Sequence, residues 1–183
     1  MPHVNVFIAA FTTSNARRRL YQTLLGLNER VLYFDTDSVV YEYDENDREQ
    51  YKPHIGTHLG DWTNELKEGE FIEKFVSSGP KSYAYITSLG SKVVKLKGVT
   101  QNYDNAQRVN FEKLKELVLY FADPDSNPAP TGCDKYIMTR YDKIRRCKKQ
   151  FLLFSREELK KVRVTYSKRA LVQGTYDTIP YGY

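Results

Sequence analysis

Cysteine, tryptophan and histidine are scarce in this sequence. Its 183 residues include two cysteines, one tryptophan and three histidines. Cys133 and Cys147 are too few for a disulfide framework and lack the CxxC spacing of zinc sites, so free intracellular thiols are expected. The scarcity of cysteine argues against the class of small secreted domains that disulfides hold together.

Long hydrophobic runs are also missing. The apolar run from Val4 to Phe11 is too short to span a membrane, and no basic segment precedes it as in a signal peptide. The sequence therefore predicts an intracellular protein that is not secreted and not bound to a membrane. A nuclear location is expected if the sequence belongs to a eukaryotic genetic element.

Acidic residues become sparse toward the C-terminus. Residues 42–73 contain 3 Lys and Arg against 10 Asp and Glu, whereas residues 74–183 contain 21 against 10. A polyanion such as DNA is the natural partner of this basic half, although a solvated basic surface would have the same composition. The chain also has 15 tyrosines, whose rings can stack on bases.

One acidic pair lies inside an apolar, β-forming stretch from Val31 to Tyr41. The residues around Asp35 and Asp37 predict a tight β-hairpin with both acids at its tip. A near-extended backbone would place the two carboxylates about 6 to 7 Å apart on one face. Such a pair suits Mg²⁺ or Mn²⁺, which relieves the repulsion between like charges. The alternative is a turn that is merely acidic.

Basic residues alternate with tyrosines further along the chain. Lys81, Tyr83 and Tyr85 are predicted to share one face of a strand, which could hold a nucleic-acid backbone or be an ordinary edge strand. A second basic strand follows, with Lys95 and Lys97 as candidate DNA-binding residues.

The remaining pattern predicts the other elements. Helical spacing indicates one long helix from Val4 to about Leu27, with its apolar stripe in the core. A strand carrying Trp62, a turn at Gly69 and a second strand follow the hairpin. Phe111 to Phe121 has the spacing of a helix, and the prolines between Asp123 and Thr131 indicate an exposed loop.

The last segment combines charge and aromatic rings. Lysines and arginines are dense from Lys135 to Arg169, and five aromatic residues are interleaved with them: Tyr136, Tyr141, Phe151, Phe154 and Tyr166. This pattern is typical of a surface that binds the backbone of duplex DNA.

These segments resemble family B DNA polymerases in several places. Tyr33-Phe-Asp-Thr-Asp-Ser38 matches every specified position of the family's Tyr-x-Asp-Thr-Asp-Ser motif, and Lys81-Ser-Tyr83 is similar to its later Lys-x-Tyr motif. The Lys97-Gly-Val-Thr100 stretch, followed by a phenylalanine-led helix, looks like the start of the thumb in protein-primed members. The ending Thr178 to Tyr183 resembles that of Polinton or Maverick transposons, and viral protein-primed polymerases look alike here.

The resemblance implies DNA-directed DNA synthesis by two-metal catalysis. Asp37 would be the direct ligand of Mg²⁺ or Mn²⁺, and Asp35 would shape the site. The remaining candidates would contact primer and template: Tyr33, Thr36, Ser38, Lys81, Tyr83, Lys95 and Lys97. The implied partners are primer-template DNA, deoxynucleoside triphosphates and, in protein-primed members, a terminal protein.

The resemblance also implies an architecture and an incompleteness. The fold class is α+β: residues 1–97 would form the C-terminal half of a palm, with the first helix on one antiparallel sheet, and residues 98–183 a small basic thumb. The Asp-x-x-Ser-Leu-Tyr-Pro and Lys-x-x-x-Asn-Ser-x-Tyr-Gly motifs are not in the sequence. The isolated chain is therefore expected to be a fragment that is inactive alone.

Three other functions compete with this one. The chain could be a DNA-binding fragment without catalysis. Asp35-Thr-Asp37 also looks like the first motif of haloacid-dehalogenase-type phosphatases, with Asp35 as nucleophile, but that fold needs a parallel sheet with alternating helices. The Phe-Asp-Thr-Gly-Ser loop of aspartic proteases is the weakest match, because Asp37 replaces its flexible glycine.

Overall fold

The computed structural model describes residues 5–128, 135–166, 169–175 and 178–180. The chain divides into two compact units, one up to Gly69 and one from Glu70 on. Helices and antiparallel strands occur together, which confirms the α+β class at that coarse level. The palm and thumb division after residue 97 stays a prediction.

Several predicted features lie outside the described residues. These are the start of the first helix at Val4, the free thiol of Cys133, the end of the proline-rich loop, and the last three residues of the Polinton-like ending.

The described residues form three helices, a short 3₁₀ turn and nine strands. The helices are α1 (Val6–Leu27), α2 (Tyr103–Arg108) and α3 (Phe111–Ala122), and a short 3₁₀ turn spans Asn28–Arg30. The strands are β1 (Val31–Asp35), β2 (Ser38–Tyr41), β3 (Ile72–Gly79), β4 (Ser82–Thr87), β5 (Lys92–Lys95), β6 (Ile137–Cys147), β7 (Leu152–Val162), β8 (Arg169–Leu171) and β9 (Thr178–Pro180).

The first helix forms where the sequence predicted it, but most of its apolar side chains are not in a core. Asn5 caps it, since its Oδ1 accepts the Ile8 N–H at 3.1 Å. Only Leu20, Thr23 and Leu27 are buried. Six other large apolar side chains of this helix are 64% to 81% exposed: Val6, Phe7, Ile8, Phe11, Tyr21 and Leu25. The prediction of a buried stripe is therefore wrong, because helical periodicity shows an apolar face and not what covers it.

The C-terminal half of α1 is held by the irregular segment after the hairpin. The Trp62 indole N–H donates to the buried Thr23 hydroxyl at 3.0 Å, and the Arg19 Nε donates to the Gly60 carbonyl at 2.9 Å. Trp62 forms only an isolated bridge with Ile55. The predicted strand around Trp62 is wrong, because the backbone bonds of Trp62 with His54 and Gly56 form this one bridge and do not extend into a ladder.

The predicted single sheet is also wrong. Strands β1 and β2 form their own two-stranded sheet, and β3, β4 and β5 form a separate antiparallel sheet. The helix that packs on this second sheet is α3, not α1. The turn at Gly69 and the strand after it are confirmed.

The main hydrophobic core belongs to the second unit. Buried Val76 and Ala84 of the sheet meet Leu114 and Leu117 of α3 there. Asn105 of α2 is buried beside this core: its Nδ2 donates to the Thr100 carbonyl, and its Oδ1 accepts the Arg140 N–H. The first bond joins α2 to the loop before it, and the second joins α2 to β6.

Strands β6 and β7 form a long two-stranded ribbon. Eleven residues of each strand pair in uninterrupted antiparallel register, from Ile137 opposite Val162 to Cys147 opposite Leu152. No helix in the described parts of the chain is both long and apolar enough to cross a lipid bilayer.

Candidate functional site

The acidic pair lies at the tip of the β1–β2 hairpin, as predicted. Asp35 ends β1, and Thr36 and Asp37 form the turn. The Asp37 N–H donates to the Asp35 carbonyl at 2.5 Å, and Thr36 has a left-handed φ of 52°. The backbone therefore reverses between the two acids. The expectation of a near-extended backbone at this point is wrong, because the turn forms within three residues.

The side chains around Asp35 are tied locally. The Thr36 hydroxyl donates to the Asp35 Oδ1 at 3.0 Å, and the Ser38 hydroxyl donates to the Asp35 carbonyl at 3.1 Å. Asp35 and Ser38 are the last paired residues of the hairpin. Both residues were predicted to contact DNA. In the structure Thr36 holds the Asp35 carboxylate, and Ser38 bonds the Asp35 backbone.

The two faces of the hairpin differ in exposure. Tyr33 and Asp35 are two residues apart in β1 and share a face, and both are partly buried. Leu32 and Phe34 lie on the opposite face and are 51% and 52% exposed. Asp37 is exposed in the turn, so it is the more accessible of the two carboxylates.

A polar clamp fixes the base of the hairpin. The Arg30 guanidinium donates to the Gln50 Oε1 at 2.7 Å and to the Tyr51 carbonyl at 2.8 Å, and the Glu42 N–H donates to the Arg30 carbonyl. Burial raises the pKa of the Tyr41 phenol at the end of β2, while the Arg30 charge opposes that shift. The hairpin is therefore anchored at its base and open at its tip.

The donors at the tip suit a hard divalent cation. Two carboxylates are the oxygen ligands that Mg²⁺ uses in proteins, together with water and substrate phosphates. Among the described residues, no group of three or more His, Cys, Asp or Glu is arranged to hold a metal ion. Asp35 and Asp37 could thus supply two carboxylate ligands, and the rest of the shell would come from water and substrate.

The predicted primer-binding strand is present in the second unit. Tyr83 and Tyr85 share one face of β4 with their rings stacked at 6.3 Å, and Phe75 of β3 stacks on Tyr83 at 5.9 Å. Lys81 lies before the strand, in the turn, with a left-handed φ of 59°. The expectation that Lys81 alternates with the tyrosines within the strand is wrong, because β4 begins only at Ser82.

The two candidate lysines near β5 occupy different positions. Lys95 pairs with Tyr83 across β4 and β5, so both side chains lie on the aromatic face. Lys97 follows the end of β5, and its backbone N–H donates to the Ser82 hydroxyl at 3.2 Å. Lys95 is therefore placed beside the candidate primer residues, whereas Lys97 belongs to the turn after the strand.

The basic C-terminal segment is displayed on the ribbon. Residues opposite each other share a face, so Lys143, Arg145, Phe154 and Arg156 lie together. Arg145 and Arg156 are exposed and form no ion pair with any described residue. The hydrogen bond from the Tyr141 hydroxyl to Glu158 raises the pKa of that phenol and lowers the pKa of the carboxyl.

Two basic residues near these strands were not predicted individually as site residues. They are Lys161, at the end of β7, and Arg163, just beyond it, and they line a cavity with Ser82 and Lys97. The alternation of charge and valine from Lys161 to Val164 was a usable signal for exposed and buried positions. The approach of β7 to the β3–β4 turn is a long-range contact that no local pattern indicates.

No protein-family model, curated protein or solved structure matches this chain.

Proposed function

We propose that this chain carries part of the active site of a family B-type DNA polymerase. The observation that supports this most is the position of Asp35 and Asp37 at the tip of a tight hairpin with Tyr33 on the same face as Asp35. A Lys-x-Tyr segment follows in the second unit, with Lys81 in the turn before β4 and Tyr83 in the strand beside Lys95. Two motifs in the expected order support the proposal more than either does alone.

Each candidate residue has a role in this proposal. Asp37, the more exposed acid, binds Mg²⁺ or Mn²⁺ directly, and Asp35 orients the site. The bound metal would activate the primer 3′ hydroxyl and stabilise the pyrophosphate that leaves when this oxygen attacks the α-phosphorus. Tyr33 packs near the primer end, while Lys81, Tyr83 and Lys95 hold the primer strand.

The number of carboxylate ligands limits the activity that we expect of the isolated chain. The hairpin offers two carboxylates, and the aspartate of the family's upstream motif has no counterpart in this sequence. We expect the purified 183-residue chain to bind Mn²⁺ weakly and to incorporate no nucleotide on a primer-template. Template-dependent incorporation by the chain alone would contradict that part of the proposal.

Metal binding tests the hairpin directly. Mn²⁺ titrations followed by water proton relaxation should show binding to the natural chain and its loss in Asp37→Asn. Asp47→Asn is the matched control, because Asp47 is an exposed acid of the same unit whose Oδ1 accepts only the local Glu49 N–H. Equal Mn²⁺ binding by all three proteins would overturn the proposed metal site.

Fe²⁺-dependent DNA cleavage connects the metal with the primer. Fe²⁺ at the hairpin should generate radicals that cut an end-labelled primer-template near the primer 3′ end, and Asp37→Asn should abolish the cutting. Cleavage spread evenly along the duplex would instead indicate that the chain binds DNA without placing the metal at the primer 3′ end.

A second candidate function is DNA binding without catalysis. Arg145 and Arg156 favour it, since both are exposed on one face of the ribbon and neither forms an ion pair with a described residue. Replacing either by Gln should weaken duplex binding and reduce the slope of log affinity against log salt by about 1. Arg140→Gln is the control, since Arg140 lies on the other face and its guanidinium contacts Glu157 at 2.6 Å. Duplex binding that ignores Mn²⁺ and Asp37→Asn would favour this second function over the first.

A further inference from the structure

A cavity opens beside the three-stranded sheet of the second unit. Its volume is about 210 Å³, and its wall is formed by the β3–β4 turn, the end of β5 and the end of β7. These three segments are distant in sequence, so the cavity exists only in the folded unit.

The charge of the wall has one sign. Three of its residues are cationic, namely Lys97, Lys161 and Arg163, and none of its residues is acidic. None of the three forms an ion pair with a described carboxylate. The Lys161 ammonium lies 4.3 Å from the centre of the Tyr136 ring, a contact that leaves its charge uncompensated. An anion is therefore the ligand class that this wall favours.

Hydrogen-bond donors accompany the charges. The Ser82 hydroxyl accepts the Lys97 N–H at 3.2 Å, so its own proton remains available to an acceptor in the cavity. Thr165 adds a second such hydroxyl. Ser78 also lines the wall, but its hydroxyl donates to the Ser82 carbonyl at 3.4 Å. The Ser82 and Thr165 hydroxyls and the three cations form a set of donors without a competing carboxylate.

The wall is held by close backbone contacts. The Thr165 N–H donates to the Ser78 carbonyl at 2.8 Å, and the Tyr166 hydroxyl donates to the Ser77 carbonyl at 2.9 Å. A Cβ at Gly79 would collide with the Thr165 carbonyl. The end of β7 is therefore fixed against the turn, and the cavity is built before any ligand arrives.

The cavity is separate from the candidate primer surface. Ser82 and Tyr83 are neighbours in β4, so their side chains lie on opposite faces of the sheet. Tyr83 belongs to the aromatic face, and Ser82 belongs to the face with the cavity.

We propose that this cavity is a phosphate-binding site. Its volume is below the range of about 300 to 1,000 Å³ typical of pockets for drug-sized ligands, so a single phosphate group fits better than a whole nucleotide. The group could be a backbone phosphate of a nucleic acid or a free phosphate. The site goes beyond the proposed polymerase function, because it uses neither the acidic hairpin nor the aromatic face.

Two ligands and three variants test the site. Inorganic phosphate binding is measured by ³¹P NMR, and duplex binding is measured with a short labelled oligonucleotide at fixed salt. Arg163→Gln and, independently, Lys97→Gln should each weaken binding by at least about tenfold, as the loss of a charge-assisted contact predicts. Lys92→Gln is the charge-matched control, because Lys92 is exposed in β5 and does not line the cavity. Its effect should stay within about twofold.

Each result has a defined meaning. Phosphate bound by the natural chain and displaced by duplex would identify a nucleic-acid phosphate as the ligand, and phosphate that duplex does not displace would identify a free phosphate. A selective loss of duplex binding alone would also support the backbone phosphate. The proposal is overturned if Arg163→Gln and Lys97→Gln match Lys92→Gln with both ligands. None of these outcomes depends on Mn²⁺ binding at Asp37, so the two proposals can fail separately.

Discussion

Helices α1 and α3 begin with the same kind of cap and differ in what surrounds them. Both are capped by an asparagine whose Oδ1 accepts the N–H three residues on. In α3, Phe111, Leu114 and Leu117 are buried against the sheet, whereas Phe7 and Phe11 of α1 are 76% and 68% exposed. The same cap therefore begins one helix that packs in a core and one whose first turns are exposed.

Shortening one apolar side chain in each helix tests this difference in burial most directly. Leu114→Ala should lower the free energy of unfolding of the second unit by about 3 kcal/mol, because Leu114 is fully buried. Phe11→Ala should change the first unit by less than about 0.5 kcal/mol. Hydrogen exchange of the α3 and α1 amides, followed by mass spectrometry, measures the two units separately. Equal losses of protection would show that α1 is covered in solution.

The second unit also contains a buried asparagine in α2. Asn105→Ala should destabilise it by about 2 kcal/mol, since the Thr100 carbonyl and the Arg140 N–H both lose their partner. Urea unfolding monitored by circular dichroism checks this value. Gln107→Ala is the control, because Gln107 is exposed on the same helix. A similar effect of both substitutions would show that the buried bonds of Asn105 contribute little, because alanine favours the helix in both variants.

A smaller effect is expected where α1 does make contact. Ala is favoured over Gly in a helix by about 1 kcal/mol, but a Cβ at Gly26 would lie 2.7 Å from the Tyr51 ring. Gly26→Ala should therefore destabilise the first unit by about 1 kcal/mol net, as followed by Trp62 fluorescence during urea unfolding. In a Tyr51→Ala background the sign should reverse. Stabilisation by Gly26→Ala in the natural chain would show that the ring moves aside at little cost.

The elements that the sequence predicted are those that local signals determine. The hairpin at Asp35, the strand after Gly69 and the helix at Phe111 follow from alternation, turn residues and helical spacing. All of them form within a few residues of the positions predicted. The position of the acidic pair at the hairpin tip was predictable for the same reason.

The parts that were not predicted depend on contacts between distant segments. The exposure of Phe11 and the hydrogen bond from Trp62 to Thr23 are examples. The position of Lys81 in a turn was missed for a local reason, because β3 extends to Gly79 and delays the next strand to Ser82. The cavity at Arg163 needed three segments that no sequence window contains.

The ribbon also sets a length scale. Eleven residues at about 3.4 Å each span about 37 Å, which is close to one helical turn of B-form DNA, about 34 to 36 Å. If the ribbon binds DNA as proposed for the second function, cations near its two ends would lie about one turn apart along a duplex. A fully paired ribbon of this length would then favour a partner whose anionic groups repeat at that interval.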